Sequence, residues 1–444
     1  MPVPLSRSAR VRALIALALS LSVVTGCVSS GSDSQDSRKG QNGPGISNST
    51  IKIGFVVPNP KTVAGGTGFV DGESGDAKVQ VLALVKYVNE QGGLAGREID
   101  PVIRVVDSAT DSVQQENAVC TGFTEEDKVF AVVLTGIREV SARSCFAQAN
   151  TLMIDAGSSP LSGSEFSELK PYLWAPSFTP VENYAQTLAT GLRQQDFFGP
   201  DVKVGALIES ERTLDEAFST YMKPIIEAAG VKEITTATFD TSSPGTQGSS
   251  AGAAVNGFKA RGVNRVIFLG RPDMAGFFTS IAAPQLYAPR LSIGTFDVPN
   301  FIRLNPTYYP PAALKGAVGV GFAPSIDDIS GGFPAKGSES KCVNIYTLAN
   351  QEFAERSDAQ RALLYCDAVL FLQAAMKKVD AKGPLNAYSF ATGAHSLGRT
   401  WQAASSLETE FNEGVYAPAT SARLLKYVNG KFIYQGTKLG MALS

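Results

Sequence analysis

"VNEQGGLAGREIDPVIRVVDSATD", Val88–Asp111, ends one element and begins another. Upstream, Val81, Leu84, Val85 and Val88 recur at helical spacing in "DAKVQVLALVKYVNEQGG", and the glycines that follow stop the helix. Downstream, "PVIRVVD" is a β-branched run of strand length. Before the helix stands another such run, "IKIGFVV" (Ile51–Val57). Strand, helix, strand in so short a span predicts two parallel strands with the helix covering one face of their sheet.

The alternation continues along the chain. A helix through Cys120 leads to "VFAVVL" (Val129–Leu134), and a helix through Cys145 leads to "LMIDAG" (Leu152–Gly157). After "PYLWAPSFTP" it restarts, with strands expected at "VKVGALIE" (Val202–Glu209), "EITTATFD" (Glu233–Asp240), "NRVIFLG" (Asn264–Gly270) and "RLSIGTFD" (Arg290–Asp297). Helical stretches such as "EAFSTYMKPIIEAAG" lie between them. Residues 300–444 carry a long helical pattern, "DAQRALLYCDAVLFLQAAMKKV", and end in the strand-like "ARLLKYV" and "KFIYQG". The pattern predicts an α/β fold of two units in series, each a mainly parallel sheet flanked by helices. Pro176 and Pro180 mark a crossing between them. In open sheets of this kind, ligands bind beyond the carboxyl ends of the strands. Those ends are "VPNPKTVAGG", "LTGIREVS", "DAGSSP", "ESERTL", "LGRPDM" and "GTFDVP", with Arg138, Arg271 and Asp297 among them. The glycine-rich run "GGTGFVDGESG" lacks the GK[ST] ending and the strand-to-helix setting of a phosphate loop.

The N-terminus has a different character. Arg7, Arg10 and Arg12 precede the apolar run "ALIALALSLSVV" (Ala13–Val24), which is far short of the roughly 20 residues a membrane-spanning helix needs. A basic start, a short apolar core and small residues at its end describe an export signal over residues 1–26. The ending "VTGC" resembles the bacterial lipobox, and that resemblance implies cleavage before Cys27 and a diacylglycerol on its sulfur. Two acyl chains anchor stably where one gives only marginal affinity. Residues 27–50 then read as a flexible Ser/Gly/Asn-rich linker, with Val28 and Ile46 its only aliphatics.

Composition narrows the function by exclusion. The 444 residues suffice for two or three cores, and a net charge of −2 with no Lys/Arg run gives no support for nucleic-acid binding. There is one histidine, His395, in the loop-like "ATGAHSLGRT", where a surface position is expected. A triad or a multi-histidine metal site would have to be built around it. Cys120, Cys145, Cys342 and Cys366 remain after Cys27, and four cysteines allow three pairings in an exported chain. The nearest pairs would each close a loop of about 25 residues and stabilise by roughly 3–4 kcal/mol. A metal site is the alternative, but there is no CxxC spacing.

In this order of features the chain resembles the type I periplasmic substrate-binding proteins of ABC importers, in the branched-chain amino-acid and amide branch. The resemblance spans nearly all of 51–444. It rests on "IKIGFVVP", on the opening stretch, on "LMIDAGSSP" and on "YCDAVLFLQAAM". The spacing of Cys120 and Cys145 also matches a disulfide of that family's first lobe. The resemblance implies two lobes joined by three crossovers, near 176–180, 318–326 and 413–420. Lobe 1 would take 51–176 plus 323–413, and lobe 2 would take 177–322 plus 414–444. Two local disulfides, Cys120–Cys145 and Cys342–Cys366, are expected.

By the same resemblance, ligand would meet Gly136, Ile137 and Arg138, and Ala156, Gly157, Ser158 and Ser159, from the first lobe. Asp297 would approach from the second, and the strand-end position of Arg271 puts it on the same side. "TGIRE" puts Ile137, Arg138 and Glu139 where the family has small hydroxyl residues. A plainer reading makes Ser158 and Ser159 caps of the next segment and Arg271 and Asp297 a solvated pair.

The expected function is a receptor held by lipid at the outer face of a bacterial cell membrane. It would deliver a small polar molecule (an amino acid, amide or similar) to an ABC permease by hinge closure, as a monomer without metal or cofactor. A sensor for a membrane signalling partner keeps the fold and changes the output. An exported enzyme is a third reading, and no nucleophile constellation supports it.

Overall fold

The computed structural model describes residues 39–59, 75–106, 113–157, 159–328, 330–380 and 382–442. The expected export signal, Cys27, most of the glycine-rich run and Ser158 lie outside the described residues.

The opening stretch, over its described residues 88–106, forms as its pattern predicts. Helix Ala77–Glu90 is capped by Asp76, whose carboxylate accepts from Lys78 N–H at 2.8 Å, and it buries Val81, Leu84, Val85 and Val88. The turn after it depends on Gly93: φ is +70° and a Cβ there would sit 1.9 Å from the Arg97 carbonyl oxygen. Leu94 and Arg97 exchange backbone hydrogen bonds of 2.8 and 3.0 Å, which launch strand β2 (Glu98–Val106). β2 pairs in parallel with β1 (Thr50–Pro58), Ile51 beside Ile99 and Phe55 beside Ile103.

β3 (Ala131–Leu134), β4 (Leu152–Asp155) and β5 (Leu173–Trp174) complete a parallel sheet in the order β2-β1-β3-β4-β5. A second parallel sheet, β7-β6-β8-β9, is built from β6 (Lys203–Glu209), β7 (Glu233–Phe239), β8 (Arg265–Leu269) and β9 (Arg290–Leu291). A bridge from Ser292 to Val318 joins its edge to the antiparallel β10 (Val318–Gly321), β11 (Ser421–Val428) and β12 (Lys431–Gly440). The expected strand Arg290–Asp297 is therefore cut short. The backbone turns at Thr295–Asp297, where Asp297 accepts from the Gly294 N–H.

After β10 the chain returns to the first sheet. Helix Gln360–Met376 is buried on nearly every side, and Tyr365 Oη donates to the Val56 carbonyl at 3.1 Å, so the late helix is locked onto β1. Three segments run side by side between the sheets. Ala175 N–H donates to Tyr416 O, Ala419 N–H to Phe178 O and Leu407 N–H to Phe322 O, each at 2.9 Å. Asp367 braces them by accepting from Ser177 Oγ at 2.7 Å, Ala404 N–H at 2.6 Å and Ser405 N–H at 2.9 Å.

Both local disulfides are formed. Cys120–Cys145 ties helix Val113–Thr121 to helix Val140–Gln148, and Cys342–Cys366 ties helix Ser338–Leu348 to Gln360–Met376. Replacing Cys342 and Cys366 together with serine is expected to lower stability by about 3 kcal/mol through the freed unfolded chain. Urea unfolding measures this, and a loss under about 1 kcal/mol would mean the two helices hold without the link.

Two further expectations need correction. The linker does not extend to residue 50. Asn386 Nδ2 donates to Lys39 O at 3.0 Å and Gln41 O at 2.8 Å, Gly43 N–H donates to Leu385 O at 2.7 Å, and Ile46 packs on the core. Composition showed too little apolar surface for a core, but backbone hydrogen bonds to a folded neighbour fix the segment instead. His395 is not a surface loop residue either. It ends helix Ala387–His395, half-buried, with its ring 5.1 Å from Trp174 and 5.3 Å from Tyr416.

Candidate functional site

The carboxyl ends of β3, β6, β7 and β8 face one another across a cavity of about 850 Å³. Its first wall is organised by Glu116. That carboxylate accepts from Arg138 N–H at 2.8 Å and Glu139 N–H at 2.7 Å, at the start of helix Val140–Gln148. Free amides and the positive end of the helix dipole favour an anion there. One turn on, buried Arg143 donates to Ile137 O at 3.2 Å and to Glu165 at 2.5 Å.

The second wall is Glu209, the last residue of β6, with Glu211, Arg212 and Thr213 after it, Thr241 and Ser242 beyond β7, and Arg271 beyond β8. Glu209 is 1% exposed. Arg138 crosses from the first wall, donating from Nη2 to Glu209 Oε1 at 2.7 Å and lying 3.5 Å from Glu211. Burial pushes the Glu211 carboxyl up, against the opposing pull of Arg138. Arg271 lies 3.0 Å from Asp273, whose carboxyl burial also pushes up.

Of the residues expected from sequence, Arg138 and Arg271 line this cavity. Gly136 is exposed beside it, and Ile137 is buried with its carbonyl on Arg143. Ala156, Gly157 and Ser159 do not line it. Ala156 N–H is spent on Leu134 O, and Gly157 N–H donates at 2.9 Å to Asp155, whose buried carboxyl is pushed up to about 6. The loop thus serves the chain's own carboxylate. Asp297 is likewise buried away from the cavity and is pushed up to about 8 by burial, so it is neither in the wall nor a surface partner of Arg271. Glu116, Arg143, Glu165, Glu209 and Glu211 were missed. Glu209 had a signal, an acid closing the apolar strand "VGALIE" at a strand end already marked as a ligand edge.

Among the described residues, Val113 and Val140 are the only aliphatic side chains in the lining, which is otherwise polar or charged. The described residues contain no cluster suited to a metal ion and no helix long and apolar enough to cross a membrane.

No protein-family model and no curated protein matches the chain in sequence. Solved structures do match. A fatty acid ABC transporter substrate-binding protein from Thermomonospora curvata superposes with a TM-score of 0.64 at 17% identity, over 90% of this chain and 95% of that one. A solute-binding protein of an ABC transporter from Rhodopseudomonas palustris, in complex with 3,4-dihydroxybenzoic acid, gives 0.61 at 14% identity over 88% and 98%. The branched-chain amino acid transporter substrate-binding protein LivJ from Streptococcus pneumoniae, with isoleucine, gives 0.57 at 17% identity over 88% and 99%. The architecture is the two-lobed fold of the type I periplasmic substrate-binding proteins of ABC transporters. At these identities the likeness defines the fold and leaves the ligand to the residues of the cleft.

Proposed function

We propose that the protein is an extracytoplasmic solute-binding receptor that hands a small polar molecule to an ABC permease by hinge closure. The observation that carries this is the cavity whose two walls come from the ends of two different sheets. The three side-by-side segments near residues 175–178, 322–323 and 416–420 are its hinge, and lobe 1 (51–176 plus 323–413) and lobe 2 (177–322 plus 414–444) move about them. A solute touching both walls binds the closed state more tightly and shifts the population by that difference alone. No step in this cycle calls for catalysis.

A thermal-shift screen tests the reading: a ligand at 100 times its Kd adds about 2.7 kcal/mol of apparent stability. Small-angle scattering with that ligand should then show a more compact particle. Stabilisation with an unchanged radius would remove hinge closure. Permease delivery rests on the fold's kinship, and a histidine-kinase gene beside this one in place of an ATPase gene would favour sensing.

The lipid tether belongs to the same proposal and rests on "VTGC" behind the short apolar run. Cys27→Ser is expected to release folded protein or leave an uncleaved precursor. Membrane retention after normal maturation would exclude the anchor.

A further inference from the structure

The charges of the cleft do not cancel evenly. Each of its arginines faces an acid: Arg138 faces Glu209 and Glu211, Arg143 faces Glu165, Arg212 faces Glu216, and Arg271 faces Asp273. Glu139 and Glu168 also line the cavity and form no ion pair among the described residues. Over its described residues the cleft therefore carries an excess of negative charge at close range. Low-dielectric walls focus such a field and raise the local concentration of cations.

Glu209 is the deepest of these acids. Its Oε1 holds the Arg138 guanidinium at 2.7 Å, while its Oε2 is buried and has no hydrogen-bond partner among the described residues. A Cβ at Gly270 would come within 2.7 Å of that Oε2, so the glycine leaves the carboxylate room to lie flat against the backbone. A buried carboxylate half-supplied with donors is costly, and a bidentate donor such as a guanidinium or an amine would satisfy it. The occupant in this structure is itself a guanidinium, reaching over from the opposite lobe.

Resting on the reading of this cleft as the solute site, we propose that Glu209 and Glu211 form its cation subsite. Arg138 is a built-in occupant of that subsite, and the solute is a small molecule bearing a guanidinium group that takes its place. Exchanging one cation for another keeps Glu209 paired throughout, so displacement carries no penalty of an isolated buried charge. Arg138 also sets the threshold. A site open for only part of the time binds with an apparent Kd raised by the reciprocal of that fraction. The solute must therefore out-compete a tethered guanidinium, which excludes weak or singly bonded cations.

Titration calorimetry on the detergent-solubilised full chain tests this with agmatine, L-leucine and 3,4-dihydroxybenzoate as cationic, zwitterionic and anionic probes. Agmatine is expected to bind. Arg138→Ala should tighten it on the order of tenfold, and Glu209→Gln should weaken it about 10- to 100-fold. If Glu209→Gln does not fold, Glu211→Gln, on the more exposed rim, should still weaken agmatine by about fivefold. Leucine or dihydroxybenzoate binding where agmatine does not would overturn the cation subsite and leave the receptor reading standing. Unchanged agmatine affinity in Arg138→Ala would overturn the displacement. No agmatine binding in wild type or Arg138→Ala would overturn the subsite altogether, and the receptor reading would then be decided by the thermal-shift and scattering experiments.

Discussion

Trp174→Ala is expected to cost about 3–5 kcal/mol of stability, the range for deleting a fully buried large aromatic. Trp174 ends the last strand of the first sheet and is 0% exposed. Its ring lies 5.8 Å from Phe371, 5.6 Å from Phe390, 5.9 Å from Phe411 and 4.5 Å from Tyr416, all from the part of the chain that returns after β10. Its Nε1 donates to Pro171 O at 2.8 Å. Truncation removes the surface on which the early and late parts of the first lobe meet, and leaves a void its close-packed neighbours cannot fill. The melting temperature should fall on the order of 10 °C. Trp174→Phe, which keeps most of the ring volume, should lose less than half as much. Calorimetry on both variants checks this, and a loss under about 1 kcal/mol in Trp174→Ala would show that the returning segments are held elsewhere.

Stability should fall by several kcal/mol between about pH 5.5 and about pH 8.5. Burial pushes Asp155 and Asp367 up to about 6, Asp327 up to about 7 and Asp297 up to about 8, against 3.8 for an unperturbed carboxyl. Groups raised in the folded state bind more protons there than in the unfolded chain. The stability they contribute is complete below the unfolded value and is lost as pH rises through the folded ones. Each unit of difference is worth 1.36 kcal/mol.

His395 acts the other way: burial lowers its pKa, so its contribution is present above the unfolded value and lost on acidification. The fall toward high pH belongs mainly to Asp297 and Asp327, which face each other among Tyr184, Phe296, Phe322 and Tyr434. Asp297→Asn mimics the protonated carboxyl and keeps an acceptor for Gly294. It should flatten the fall and exceed wild type at about pH 8.5 by at least about 1 kcal/mol. Urea midpoints across the range measure it. A wild-type curve that rises toward pH 8.5 would show that these carboxyls are ionised at no cost.

Much of the architecture was legible from residue pattern. The helical spacing of Val81, Leu84, Val85 and Val88, the glycine turn and the β-branched runs each state a local preference that the packed structure keeps. Errors arose where a segment's partner lies far along the chain. "RLSIGTFD" has strand composition, yet only Arg290 and Leu291 pair with β8, since beyond them β10 takes over the edge. "ATGAHSLGRT" has loop composition, yet its first half is helical because Phe390 and His395 have Trp174 to pack on.

The sequence by itself determined that this is an α/β chain of two sheet units, because periodicity and turn residues are properties of neighbours in the chain. It also marked the strand ends as the edge where a ligand would sit. Which residues form the wall was decided only by tertiary structure. Asp155 captured the amide of Gly157, burial withdrew Asp297, and Glu209 became the acid that meets Arg138 from 71 residues away. The physical reason is that a carboxylate's role depends on which donors and how much water surround it, and both come from elements distant in sequence.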